Sequence, residues 1–223
     1  EGKDRVAAYF LSANRGKKSA AIDFSRPEGA ALVRGLAEHA DIVVENFKVG
    51  GLEKFGLDAK SLRAANPRLI YASITGFGQD GPYADRAAYD FIIQGMGGMM
   101  AITGLPDDEP GGGPLRAGVA VVDLFTGLYT CIAILSALYG RERSGEGAHI
   151  DMALLDAQLA MLANQASNAL ISGMDPPRQG NTHPNIVPYQ PFDAADQPII
   201  IAVGNERQFL RLAEMCGHPE WTT

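Results

Sequence analysis

Cysteine is scarce in this sequence, with only Cys131 and Cys216 among 223 residues. Two cysteines exclude a disulfide framework and a cysteine-rich metal site, and they are compatible with a reducing compartment. We therefore expect a cytoplasmic protein, or a mitochondrial-matrix protein if the source is eukaryotic. Cys131 lies in an apolar stretch without a histidine at helical spacing, so we expect a buried, inert thiol there.

Positive charge is also in short supply. There are 19 Lys and Arg against 26 Asp and Glu, which gives a net charge of −7. Without a basic stripe, this balance argues against a nucleic-acid partner. Of the four histidines, His149 shares a strand face with Asp151 and is a weak candidate for a metal ligand. We favour a hydrogen-bonded structural pair and expect no metal site.

Long hydrophobic runs are confined to residues 118–139, which carry a single charge, Asp123. Their length would fit a membrane span. However, Thr126, Thr130 and Ser136 interrupt the run, and no second span accompanies it. We therefore expect a central buried helix and no membrane association.

Strand-length apolar runs alternate with helical patterns, which indicates βαβ units and a mostly parallel sheet. The composition changes near Gly173, where we expect a linker and a smaller unit with a hairpin (189–203) and a last helix (205–216). The main predicted strands are 19–23, 41–45, 69–74 and 148–153, and the main predicted helices are 27–39, 89–102, 123–143 and 154–171.

Residues 76–81, GFGQDG, spell the glycine pattern of a dinucleotide-binding loop directly after a strand. That fingerprint needs a helix to open at the loop and an acid about 20 residues later. Here Pro82 follows at once, and no acid stands near residue 101. We therefore reject a nicotinamide site and expect a glycine-rich loop that lines a ligand cleft at the end of a strand.

Asp123 is an acid in apolar surroundings, where an unsatisfied carboxylate is costly. One interpretation is an N-cap for a helix that begins at Leu124. The other is a nucleophile that the positive helix end keeps ionised, with Gly127 leaving room for a ligand. Spacing alone leaves both open. Lys48 and Lys54 follow a predicted strand, where they could bind an anion or be solvated surface residues.

Taken in order, several motifs resemble class III CoA-transferases, the formyl-CoA transferase or CaiB/BaiF family. Each piece is short, but their order matches the family nearly end to end. The matching segments are 44–50 (VENFKVG), 52–57 (LEKFGL), 66–71 (NPRLIY), 73–78 (SITGFG), 89–90 (YD), Gln94, the Gly118, Asp123 and Gly127 set, 137–138 (AL), 143–147 (RSGEG) and 180–190 (GNTHPNIVPYQ).

The resemblance implies a Rossmann-like CoA-binding and catalytic region over 1–172 and part of a smaller α+β domain over 173–223. It implies transfer of CoA from an acyl-CoA thioester to a carboxylic acid through an aspartyl anhydride and an aspartyl-CoA thioester. Asp123 matches the nucleophile. We expect glycine-rich loop N–H groups, and Gln94, to stabilise the oxyanions. CoA is then a substrate and product, and no tightly bound cofactor is expected.

The resemblance also implies contacts with CoA and with the substrate acids. Lys54 matches a position that is usually Arg, so the charge is kept but the bidentate fork is lost. Ser25 replaces a commonly basic residue. The implied CoA-binding residues are Ile22, Asp23, Phe24, Ser25, Asn46, Phe47, Lys48, Lys54, Tyr89 and Asp90, and the implied substrate loop residues are Gln94, Gly180, His183, Tyr189 and Gln190.

Relative to that family, the chain lacks the first strand, loop and helix and much of the C-terminal continuation. It starts with the charged residues EGKDR, without Met or a signal-peptide pattern. We therefore expect a fragment or processed product of a protein that forms an interlocked homodimer.

Two other functions are compatible with much of this pattern. An α-methylacyl-CoA racemase would need a histidine base at the position of Tyr89, and tyrosine is a poor base at neutral pH. A non-catalytic CoA-binding fragment is the second alternative. The segment around Asp123 and the loop that ends at Gln190 look more like the dicarboxylate-using branch, with succinyl-CoA as donor.

Overall fold

Three parallel strands, ordered β1-β2-β3, form the central sheet of this computed structural model, which describes residues 6–222. They are β1 (Ile42–Glu45), β2 (Ile70–Thr75) and β3 (His149–Ala153). The middle strand β2 pairs with both neighbours, so its residues from Ile70 to Ser73 are buried. The predicted mostly parallel α/β fold is confirmed, whereas the charged start of the chain lies outside the described residues.

Helices surround this sheet, and a separate antiparallel hairpin follows them. The hairpin consists of β4 (Tyr189–Asp193) and β5 (Pro198–Ala202), as the sequence predicted. A domain boundary near residue 173 stays a prediction. The helices are α1 (Ala8–Asn14), α2 (Pro27–Glu38), α3 (Ala59–Ala65), α4 (Asp90–Met96), α5 (Met99–Ile102), α6 (Val121–Ser144), α7 (Leu154–Met161), α8 (Ala163–Ser172) and α9 (Glu206–Met215), with 3₁₀ turns at Glu53–Phe55 and Pro219–Thr222.

Local sequence signals explain several of these boundaries. Pro27 opens α2, where its missing N–H is not needed. The Asp58 carboxylate accepts from Ser61 N at 3.0 Å and caps α3. Gly145 ends α6 with φ +77°, a left-handed conformation that suits glycine.

Three predicted elements are wrong in detail. Residues 19–23 form no strand, because no neighbouring strand within residues 6–222 pairs with them. The predicted helix 89–102 breaks at Gly98, where φ is +90°. The predicted helix 154–171 breaks at Ala163, where φ is +47°. Periodicity alone did not locate these two breaks.

Two apolar clusters hold the helices to the sheet. One packs α2, α3 and the 3₁₀ turn against β2, and its buried members are Ala37, Leu52, Leu57, Leu62, Leu69 and Tyr71. The other lies where α4, α6 and α7 meet, and it contains Ile93, Val122 and Leu154. At the far end of α6, the buried Arg141 reaches back to Asp41 at 2.8 Å and to the Arg68 carbonyl at 3.0 Å.

The helix α6 is less buried than the sequence predicted. By length and composition it could cross a membrane, but core helices of soluble proteins pass the same test. Its buried stripe includes Val122, Thr126 and Thr130. The opposite face is exposed within this chain, because α6 packs against the sheet and α7 on one side. Cys131 lies on the exposed side, so the expectation of a buried thiol is wrong.

Candidate active site

A cleft of about 720 Å³ opens at the carboxyl end of the sheet. Ligand sites of α/β proteins commonly form there, and cavities of about 300–1,000 Å³ hold small molecules. The ends of β1 and β2, the segment 84–89 and the first turns of α6 line the cleft. With Leu154 at the start of α7, five separate parts of the sequence therefore meet at one place.

Asp123 lies in this cleft, in the first turn of α6. The helix begins at Val121 with Ala120 as N-cap, so the N-cap interpretation of Asp123 is wrong. Desolvation, and then the charge of Asp90, raise the pKa of the Asp123 carboxyl. The positive helix end favours ionisation and so acts in the opposite direction to these two effects. A carboxylate with a raised pKa is a more basic nucleophile.

Thr126 and Gly127 follow Asp123 on the same cleft wall. Thr126 is 1% exposed, and its hydroxyl has no hydrogen-bond partner among residues 6–222. A Cβ atom added at Gly127 would meet no atom within 4 Å. One turn beyond the carboxylate, the helix therefore has a buried, unsatisfied hydroxyl at Thr126 and open space at Gly127. Thr126 was not among the predicted site residues, although a Thr three residues after an acid on one helix face was a usable signal.

Asp90 and Gln94 lie behind the cleft instead of in it. Asp90 Oδ1 accepts from Gln94 Nε2 at 2.6 Å, and Asp90 Oδ2 accepts from Val122 N at 2.8 Å. Gln94 Oε1 accepts from Ala117 N at 2.9 Å. Both side chains are buried. These groups already bind within the protein. The CoA contact of Asp90 and the oxyanion-donor and substrate-loop roles of Gln94 stay predictions.

Four predicted CoA-binding positions are brought into the cleft. Asn46, Phe47 and Lys48 follow β1, and Tyr89 faces them from the segment before α4. The Glu45 carboxylate accepts from Phe47 N at 2.7 Å, which fixes the turn that presents this group. The CoA contacts of these residues stay predictions.

The predicted CoA-binding residues at 22–25 do not line the cleft. Phe24 packs edge-on against Phe47 with ring centroids 5.7 Å apart, so it supports the cleft wall from behind. The Asp23 carboxylate is bound by Ser25, which lowers the pKa of Asp23. Ile22 is partly buried beside them. Lys54 lies over the ring of Phe55, also outside the cleft.

The predicted substrate loop is also apart from the cleft. Gly180 N donates to Gly104 O at 3.0 Å, and the rings of His183 and Tyr189 are 5.0 Å apart. Gln190 pairs with Ile201 in the hairpin. None of these residues is among those that line the cleft.

The glycine-rich loop behaves as predicted at Gly76, which lines the cleft and opens no helix. A Cβ atom at Gly76 would come within 2.3 Å of the Ala88 side chain, so the close approach of these segments requires glycine. Arg86 was not among the predicted site residues. It lines the cleft and stacks on Tyr83, 4.1 Å from the ring centroid, adding a second cation to Lys48.

No group of three or more His, Cys, Asp and Glu within residues 6–222 is placed to hold a metal ion. His149 Nε2 instead pairs with the Ser73 hydroxyl at 3.0 Å. Asp151 accepts from Gln79 N at 2.9 Å. The pair is thus engaged in structural hydrogen bonds.

Together, these features define an α/β protein with a cleft at the carboxyl ends of parallel strands. The acids Glu45 and Asp123 and the basic residues Lys48 and Arg86 line it. The chain belongs to CoA-transferase family III, whose model matches residues 1–223. This confirms the resemblance found in the sequence.

Named relatives agree with this assignment. A succinate–glutarate CoA-transferase of Agrobacterium fabrum is 58% identical over 97% of this chain and 53% of its own length. A succinyl-CoA:glutarate CoA-transferase of Mus musculus is 44% identical over 96% of this chain and 48% of its own. The crystal structure of a CaiB/BaiF family protein from Brucella suis matches with a TM-score of 0.81 and 57% identity, over 96% of this chain and 56% of its own. The chain thus spans about half the length of these relatives.

Proposed function

We propose that the full protein to which this chain belongs transfers CoA from an acyl-CoA thioester to a carboxylic acid, with Asp123 as nucleophile. The observation that carries this proposal is the position of Asp123, an accessible carboxylate of raised pKa in the cleft. Membership of the family supports the same reaction.

In the first step, an Asp123 oxygen attacks the thioester carbonyl, the C–S bond breaks, and CoA leaves as thiolate. The product is a mixed anhydride between Asp123 and the donor acid. The thiolate then attacks the aspartyl carbonyl, which releases the donor carboxylate and leaves an aspartyl-CoA thioester. The acceptor carboxylate attacks that thioester, and the thiolate finally attacks the acceptor carbonyl of the new anhydride, regenerating Asp123. Covalent catalysis divides one difficult exchange into easier steps.

Each of these attacks builds negative charge on a carbonyl oxygen, which needs a hydrogen-bond donor. The Thr126 hydroxyl is suited to this task, because it is buried beside Asp123 without a partner in the described chain. Lys48 and Arg86 are suited to the anionic groups of CoA or of the acids, since both line the same cleft.

We further propose that the acids are dicarboxylic, with succinyl-CoA as donor. The support is the naming of the relatives at 58% and 44% identity as succinate or succinyl-CoA and glutarate enzymes. Each dicarboxylate would place a second carboxylate in the cleft, where Lys48 and Arg86 offer opposite charge.

The full-length protein would form an interlocked homodimer, a proposal supported by the uncovered apolar face of α6.

The experiment is a CoA-exchange assay on the full-length protein with succinyl-CoA and glutarate. The expected result is glutaryl-CoA and free succinate in equal amounts, both lost in Asp123→Asn. The racemase alternative predicts instead α-proton exchange on a branched acyl-CoA in D₂O without acyl exchange. Binding of CoA without either reaction would support the non-catalytic alternative and contradict the proposal.

A further inference from the structure

Two buried side chains on α4 hold the segment that leads into Asp123. Asp90 and Gln94 are four residues apart, so they lie one above the other on one helix face. Their side chains meet at 2.6 Å, and each also accepts from a backbone N–H of the segment 117–122. Asp90 is 9% exposed and Gln94 is fully buried.

The hydrogen bond from Val122 N to Asp90 lies at the N-terminus of α6. The first N–H groups of a helix have no partner within it, and the N-cap Ala120 offers no side-chain acceptor. Asp90 therefore caps α6 from another helix. Since Val122 directly precedes Asp123, this bond and the bond to Ala117 N fix the backbone that carries the carboxylate.

We propose that Asp90 and Gln94 act together as positioning residues for Asp123, through a clasp that consists of their mutual hydrogen bond and their bonds to Val122 N and Ala117 N. The inference deepens the proposed function and rests on it for its catalytic consequence. Both Asp90 oxygens and the Gln94 amide are engaged within the protein, so the pair acts on the reaction through Asp123 alone.

The clasp also brings a negative charge close to the nucleophile. After desolvation, Asp90 is the second cause that raises the pKa of Asp123. The other ionisable side chains that line the cleft with Asp123 are Glu45, Lys48, Arg86 and Tyr89. The positioning effect of the clasp and the effect of its charge can be tested separately, because the same hydrogen bonds can be formed with the negative charge at position 94 instead of position 90.

Asp90→Asn alone breaks the pattern. The introduced amide must turn its NH₂ group toward either Val122 N–H or the Gln94 NH₂ group, and both are donors. Gln94→Glu alone brings two carboxylates together. In the double variant Asp90→Asn with Gln94→Glu, the amide oxygen at position 90 accepts from Val122 N, and its NH₂ group donates to the carboxylate at position 94. That carboxylate also accepts from Ala117 N. All three bonds return, and the charge lies one helical turn further along α4.

The four proteins are compared as full-length enzymes in a CoA-exchange assay and in thermal unfolding. We expect each single variant to lose about tenfold or more in kcat with a smaller change in KM, because a buried donor or acceptor is left unpaired. The double variant should recover kcat to within about threefold of the parent. The acid limb of its pH profile of kcat should also move to lower pH, since removal of a nearby negative charge lowers the pKa of Asp123. Asp156→Asn, an exposed first-turn acid of α7, is the matched control and should leave kcat and the acid limb unchanged.

A double variant no better than the worse single variant would overturn the clasp. Recovery of kcat without movement of the acid limb would overturn the part played by the charge. An inactive parent enzyme would refute the proposed function instead. The clasp would then be tested by comparing the unfolding free energies of the two single variants and the double variant, and by NMR titration of the Asp123 carboxyl. Neither measurement needs turnover. Additive unfolding effects and an Asp123 pKa unchanged by the double substitution would refute it.

Discussion

Gly127 offers a test in which stability and activity should change in opposite directions. It is an interior residue of α6 and lines the cleft, and an added Cβ would meet no atom within 4 Å. Glycine inside a helix costs about 0.8–1.0 kcal/mol relative to alanine, and leucine is close to alanine on that scale. Gly127→Leu should therefore stabilise the protein by roughly 0.8 kcal/mol, while its side chain occupies the space beside Asp123.

We expect Gly127→Leu to lower kcat/KM for succinyl-CoA by about a hundredfold, a loss of about 2.7 kcal/mol in transition-state stabilisation. Gly127→Ala should keep most of the activity, because a single methyl group is accommodated. Gly140→Leu is the matched control, since Gly140 lies on the same helix with equally open surroundings but outside the cleft. Denaturant unfolding and steady-state kinetics of the full-length variants measure both quantities. Equal activity losses at positions 127 and 140 would refute this account of the cleft.

Three further predictions concern other parts of the site and the core. Thr126→Val should lower kcat about tenfold or more with little change in KM, whereas Thr126→Ser keeps the hydroxyl and most of the rate; equal rates would contradict a donor role. Lys48→Gln should raise KM for acyl-CoA severalfold at low salt and less at high salt, because salt screens a contact between charges. Lys48→Arg keeps the charge and should leave KM unchanged. Tyr71→Phe removes the bond to Leu57 O at 2.9 Å in the core, so denaturant unfolding should show a loss of about 1–2 kcal/mol; no loss would contradict a buried hydrogen bond there.

Much of the sheet could be predicted, because its strands are short apolar runs between helical patterns and turn residues. The runs at 41–45, 69–74 and 148–153 became β1, β2 and β3 within one residue at each end. The strand prediction at 19–23 was wrong, since a strand also needs a neighbouring strand and local sequence does not supply one. The two predicted helices that break at Gly98 and Ala163 were wrong for a related reason, because periodicity indicates the buried face of a helix and not where the backbone turns.

The site could be predicted only in part. Asp123 stood out as an acid in apolar surroundings, but its place in the first turn depended on where α6 begins. Asp90 and Gln94 could be paired by their spacing on one helix. Their bonds to Val122 N and Ala117 N join segments far apart in sequence, and only the packing of α4 against α6 shows them. The exposure of Cys131 likewise depends on which face of α6 the chain covers.

The central claim is that Asp123 carries the acyl group and then CoA. The most direct test is to incubate the full-length protein with succinyl-CoA, add hydroxylamine, and map the modified peptide by mass spectrometry. We predict a hydroxamate on Asp123 and none in Asp123→Asn. An unmodified Asp123 in a protein that exchanges the α-proton of a branched acyl-CoA would contradict the account and favour an isomerase.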